Sequence, residues 1–200
     1  MTLDRFRSVA DRLLGPWVAA ADRIGLSPDQ VSVLAFVAAL LAAGAFAVAD
    51  PAFYVLGSLL VLLNGWLDLV DGALARDQGV DSDGGDLLDH VLDRYADIAV
   101  IAGFTAGIDA YALGFLAVTG VLMTSYMGTQ IQAVGIGREY GGLLGRADRL
   151  ALMGIVGVVA AVYPDPIVAG LNVVGLLLAL FAVVGHLTAL QRFFGAWRDL

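Results

Sequence analysis

The chain has 200 residues, 60% of them hydrophobic, and a mean hydropathy of +0.84, so it is too apolar for an ordinary water-soluble domain and long enough for one membrane domain. A formal net charge of −8 argues against a broad nucleic-acid surface, and the lack of any cysteine excludes disulfides, thiolate catalysis and thiolate metal sites. Of the 19 acidic residues 18 are Asp, a bias that fits solvation in high salt; Asp4, Asp50 and Asp165 are read as solvent-facing and nothing more.

In the first 26 residues, Leu3, Phe6, Val9, Leu13, Leu14, Trp17 and Val18 recur near helical spacing among Asp4, Arg5, Arg7, Asp11 and Arg12. That pattern predicts a helix lying on the membrane surface or packing on the bundle, with a kink near Pro16. The stretch lacks the basic start and apolar core of a signal peptide, so insertion is expected to rely on the first true span. Ser27 or Asp29 is placed to cap that span, with Pro28 just inside its start.

Six continuous apolar blocks follow, near residues 31–49, 53–74, 91–108, 111–133, 150–163 and 167–190, and a bilayer crossing needs roughly 20 residues. Continuous rather than alternating apolar runs select helices over a barrel. The expected fold is all-α and polytopic: six transmembrane helices within residues 27–200, preceded by an interfacial helix in a cytoplasmic segment, residues 1–26. All 11 basic residues are Arg, clustered before the first span, at 76 and 94, at 138, 146 and 149, and at 192 and 198. The connections near Asp50, 107–110 and 164–166 carry none, which predicts a cell-membrane protein with both termini and the Arg-bearing loops in the cytoplasm.

Beside the second and third blocks lie costly carboxylates. Asp68 and Asp71 are spaced i,i+3, and Asp89 and Asp93 i,i+4, so each pair occupies one helix face. Two such faces brought together repel unless protons or cations intervene. Oxygen ligands without thiolates favour Mg²⁺, with Mn²⁺ also suited, and four carboxylates suffice for two ions. Spacing alone leaves an ion-coupled transport path as the alternative. Gly72 and Ala75 clear space beside the acidic face, Arg76 suits a phosphate, and Gly79, Ser82, Gly84 and Gly85 offer backbone N–H groups and a hydroxyl. A diphosphate held through cations and an Arg would satisfy all of these groups together. His90 and His186 are read as structural.

The pattern Asp68-x-x-Asp71-Gly72-x-x-Ala75-Arg76, eight residues, Gly85, three residues, Asp89, three residues, Asp93 resembles the signature of the CDP-alcohol phosphatidyltransferase family. The resemblance implies a homodimeric six-helix membrane enzyme that moves a phosphatidyl group from a CDP-linked lipid to an alcohol, releasing CMP. It implies metal binding by Asp68, Asp71 and Asp89, and both metal contact and the general-base role for Asp93. Gly72, Arg76 and Ser82, flanked by Ala75 and Gly85, fall where the family contacts the CDP portion. The family's Pro-Asn-x-x-Thr or Ser before the first span corresponds to Pro28-Asp29-Gln30-Val31-Ser32, which adds Ser32 to the CDP-lipid residues.

Between the fourth and fifth blocks, Arg138, Arg146 and Arg149 suit an acceptor that itself carries a phosphate. Tyr126 is followed by MGTQIQ, where inositol-phosphate members carry an Arg-bearing segment. The expected acceptor is therefore glycerol phosphate, with inositol phosphate and then serine as alternatives. The donor is CDP-archaeol if the acidic bias marks a salt-loving archaeon, and CDP-diacylglycerol otherwise.

Overall fold

The computed structural model describes residues 7–80, 82–136 and 144–200, with side chains from Leu13 onward. It contains seven helices in this order: α1 (Arg7–Arg23), α2 (Pro28–Val48), α3 (Pro51–Gln78), α4 (Asp83–Gly107), α5 (Tyr111–Ala133), α6 (Arg146–Val162) and α7 (Val173–Asp199). The all-α, polytopic expectation stands, but the expected six spans do not. Among the described residues only α2, α3, α5 and α7 are long and apolar enough to cross a membrane. The third block belongs to α4, which carries Asp83, Asp86, Asp89, His90, Asp93, Arg94 and Asp97, and the fifth to α6, 17 residues long with Arg146, Asp148 and Arg149 at its start.

Local chemistry sets the helix ends. Ser27 rather than Asp29 caps α2: Ser27 Oγ accepts from Gln30 N–H at 3.3 Å and Gln30 Oε1 from Ser27 N–H at 3.0 Å. Asp50, read as merely solvent-facing, caps α3 by accepting from Ala52 N–H at 2.9 Å. Ser82 caps α4 through Gly85 N–H at 3.1 Å, which starts this helix eight residues before the apolar block. Between α3 and α4 the chain reverses at Gly79, whose φ of 63° lies in the left-handed region that favours glycine. α7 begins at Asn172 rather than near 167, because residues 168–171 close a turn with a Val168–Leu171 bridge.

The main core lies between α2, α3, α4 and α6 and continues to α5 and α7. Phe46 and Phe104 stack with centroids 3.8 Å apart beside Tyr54, and Val61, Met153, Leu178 and Phe181 are fully covered. α5 and α7 touch backbone to backbone at Gly120 and Gly185, and Thr124 Oγ1 donates to the Gly185 carbonyl at 2.8 Å. Outward-facing Leu and Val residues on α2, α3, α5 and α7 leave a wide apolar perimeter, which suits lipid. α1 lays Leu14, Val18 and Ala21 against Val31, Val70 and Leu74, and Trp17 meets Trp66 edge-on at 6.0 Å. Its Leu13, Trp17 and Ile24 remain exposed.

Candidate active site

α3 and α4 both pack on α2, and this arrangement brings the two acidic faces together. Asp68, Asp71 and Asp89 each offer a carboxylate oxygen, and these atoms all lie within 4.8 Å of one another. Three hard anionic oxygens at that spacing fit one divalent cation such as Mg²⁺ or Mn²⁺. Asp71, 5% exposed, is fixed by Ser32 Oγ, which donates to its Oδ2 at 2.7 Å. Ser32, expected at the CDP-lipid, thus holds a carboxylate of the cluster. Asp93 borders the three but pairs with arginines: its Oδ1 lies 2.5 Å from Arg146 Nη2 and its Oδ2 3.5 Å from Arg94 Nη2.

The remaining motif residues flank the cluster. Arg76 lies across Gly72, where an added Cβ would sit 3.4 Å from Arg76 Nη1. Ala75 contributes its carbonyl to the turn at Gly79 and Val80. Ser82 is engaged as the α4 cap, and Gly85, one turn before Asp89, leaves room for Asp29, whose Oδ1 would lie 3.4 Å from a Cβ there.

On the other side of the carboxylates opens a cavity of about 780 Å³. Asp68, Asp89 and Asp93 line it from α3 and α4; Arg94, Arg146, Arg149 and Arg192 line it from α4, α6 and α7, and Ser125, Tyr126 and Thr129 from α5. Arg146 bridges the walls, with Nη1 2.6 Å from Asp68 Oδ2 as well as its contact with Asp93. Burial alone would lower the affinity of this guanidinium for its proton, but Asp68 and Asp93 outweigh it and hold its pKa above the ordinary value. Burial, reinforced by Asp68, pushes the Asp89 carboxyl up, against the pull of Arg146.

Two of the expected acceptor residues are therefore in the cavity, but neither is an idle cation. Arg149, 5% exposed, donates through Nη2 to Asp97 Oδ2 at 2.9 Å. Arg138 lies outside the described residues. Sequence reasoning passed over Asp97, Arg94, Ser125 and Arg192. Asp97 sits i,i+4 after Asp93 and continues the acidic face, a signal that was available. Arg94 donates to Ser125 Oγ, and Arg192 donates to the Thr124 carbonyl at 2.6 Å. No local spacing links those partners, which lie on different helices. His90 lines the cavity, with Nδ1 2.8 Å from the Asp86 carbonyl, whereas His186 pairs with Thr119 at 3.4 Å between α5 and α7.

A cation-ready carboxylate cluster opening onto a guanidinium-lined cavity inside a membrane bundle is a layout for handling phosphate esters at a lipid boundary. Residues 26–193 match the CDP-alcohol phosphatidyltransferase family, and the chain belongs to that family of enzymes. It is 31% identical over 199 residues to the archaetidylinositol phosphate synthase of Methanothermobacter thermautotrophicus, covering 99% of this chain and 95% of that one. The archaetidylinositol phosphate synthase of Pyrococcus horikoshii is 28% identical over 178 residues, 88% of this chain and 87% of its own. Among solved structures, phosphatidylinositol phosphate synthase of Mycobacterium tuberculosis with CDP-DAG bound superposes with a TM-score of 0.79 at 26% identity, over 93% of this chain and 94% of that one. The same enzyme in complex with manganese and citrate gives 0.78 at 25% identity, over 92% and 88%.

These relatives overturn the expectation of glycerol phosphate as the acceptor, since all of them are named for inositol phosphate products. The expectation rested on the MGTQIQ segment lacking an Arg. In the folded chain Gly128 and Thr129 of that segment do line the cavity, but Arg94 and Arg192 stand there too, so positive charge reaches the pocket from other helices.

Proposed function

We propose that this enzyme transfers a phosphatidyl or archaetidyl group from a CDP-linked lipid to inositol phosphate and releases CMP. The observation that carries the reading is the cavity that joins a carboxylate cluster to four arginines, Arg94, Arg146, Arg149 and Arg192. The archaeal relatives favour CDP-archaeol as the donor, and the cluster of Arg residues favours a cytoplasmic active site. A homodimer completes the proposal.

Asp68, Asp71 and Asp89 would hold the cation, Mg²⁺ or Mn²⁺, the latter present in a bound structure of the mycobacterial relative. A divalent ion there neutralises charge on the diphosphate and on the leaving CMP. Gly72, Arg76, Ser82 and Gly85 border the donor side, and the glycines keep the approach to the carboxylates free of side chains. Arg146 and Arg149 receive the acceptor's phosphate, supported by Arg94 and Arg192, through charge-assisted hydrogen bonds. Asp93 takes the proton of the attacking hydroxyl. That hydroxyl's oxygen forms a bond to the phosphorus nearest the lipid, the bond from this phosphorus to the CMP oxygen breaks, and CMP departs with the electron pair.

The test is a radiolabelled acceptor panel with purified protein, CDP-archaeol or CDP-diacylglycerol, and Mg²⁺ or Mn²⁺. Inositol phosphate should be incorporated in preference to free inositol, serine and glycerol phosphate. Preferential incorporation of any of the other three would sink the acceptor assignment, and metal-independent CMP release would sink the role of the cluster.

A further inference from the structure

Arg146 stands at the junction of the two walls. It reaches from the first turn of α6 so that one guanidinium sits 2.6 Å from Asp68, a carboxylate of the cation cluster, and 2.5 Å from Asp93, the carboxylate assigned as base. Its side chain is 16% exposed, and its Nε has no partner among the described residues. The Asp68 oxygen turned toward a guanidinium is screened by a positive charge that a divalent cation must approach. Likewise, a carboxylate already accepting from Nη2 has less lone-pair density for an incoming hydroxyl proton.

We infer that Arg146 is an internal counter-cation: it competes with the divalent ion for Asp68 and masks Asp93, and the phosphate of the acceptor draws it off both. The inference rests on the cation and acceptor readings above. It makes the acceptor's anion and the metal mutually supportive. An anion that engages Arg146 removes a positive charge from beside the cluster, and by linkage the ion strengthens anion binding by the same factor. Asp93 then retains Arg94, at 3.5 Å, as its neighbouring cation, and Arg94 is itself tied to Ser125. Without the acceptor the base stays covered, so water is a poor substitute for the alcohol. Arg149 is unsuited to this exchange, because Asp97 already neutralises it away from the cluster.

The experiment is calorimetric titration of Mn²⁺ into the full-length protein in detergent, without CDP-lipid, in the presence and absence of sulfate as an unreactive dianion. Arg146→Gln should bind Mn²⁺ ~10-fold or more tightly than the wild type, the effect of deleting one charge near a partly buried site. Arg146→Lys keeps the charge without bridging both carboxylates, so its Mn²⁺ affinity should fall between the two; this variant also carries the test should the Gln variant not fold. Sulfate should tighten Mn²⁺ binding several-fold in the wild type and leave Arg146→Gln unchanged. Mn²⁺ affinity in the variants equal to or below that of the wild type, a wild type indifferent to sulfate, or a sulfate effect that survives in Arg146→Gln would each overturn the inference. If the wild type and the variants all fail to bind Mn²⁺, the cation reading itself fails and takes the inference with it.

Discussion

The two walls of the cavity are built on opposite electrostatic logic. On α3 and α4, Asp68, Asp71 and Asp89 crowd like charges together, with Ser32 as a neutral donor to one of them. On α6, Arg149 is matched by a buried carboxylate, Asp97, whose Oδ2 also lies 3.9 Å from Arg94 Nη2. Arg146 pairs with Asp68 and only partly offsets the crowding on the acidic wall, whereas this part of the basic wall is already satisfied. Under the proposed function that asymmetry has a use: the wall that would recruit the ion stores repulsion, and the wall that would meet the acceptor is held in place without it.

Substitutions can break or sharpen this contrast. The largest expected effect is on rate: Asp93→Asn should lower CMP release by about 10²- to 10⁴-fold while the unfolding midpoint stays close to that of the wild type. Near-native turnover at saturating Mn²⁺ would remove Asp93 from the chemistry. On the basic wall the expected effect is on folding. Asp97→Ala strands the Arg149 guanidinium in a buried site and should cost about 3–5 kcal/mol, read by chemical unfolding in detergent. A loss below about 1 kcal/mol would mean that this wall is not self-neutralised.

A smaller effect is expected behind the acidic wall, where Ser32→Ala frees Asp71 from its only side-chain donor among the described residues. Mn²⁺ affinity should fall by about 10- to 100-fold, the usual range for a group that orients a ligand. Unchanged affinity by calorimetry would show that α2 does not set the carboxylate's position. The smallest effect carries the opposite sign. In excess chelator, Asp89→Asn relieves like-charge crowding and should raise the thermal midpoint by roughly 2–4 °C. With excess Mn²⁺ the order should reverse, and a variant less stable than the wild type in chelator would contradict the stored repulsion.

The same contrast explains what could be read in advance. The acidic wall lies on two helices joined by a short turn, so spacings of three and four residues were enough to bring Asp68, Asp71, Asp89 and Asp93 to one place. The basic wall draws Arg94, Arg146, Arg149 and Arg192 from three helices, and nothing in the linear chain states that α7 delivers Arg192 to Thr124 of α5 at the edge of the same cavity. The MGTQIQ segment by itself points away from inositol phosphate, whereas in the fold the positive charge of the cavity comes from other helices. The span count failed for a related reason. The third block carries Asp93, Arg94 and Asp97 within it, and the fifth sits in a 17-residue helix that opens on Arg146, Asp148 and Arg149; these charged residues belong to the site rather than to a lipid-facing span.

The crossing of α5 and α7 bears on the cavity in a further way. At Gly185 a methyl group would collide with the Gly120 backbone, and one turn beyond Gly120, Thr124 is hydrogen-bonded to both the Gly185 carbonyl and Arg192. The two helices therefore meet where both lack a side chain, and their separation is fixed by two missing carbons in the apolar interior, so steric bulk added at that crossing should be felt at the cavity as a change in which headgroup fits.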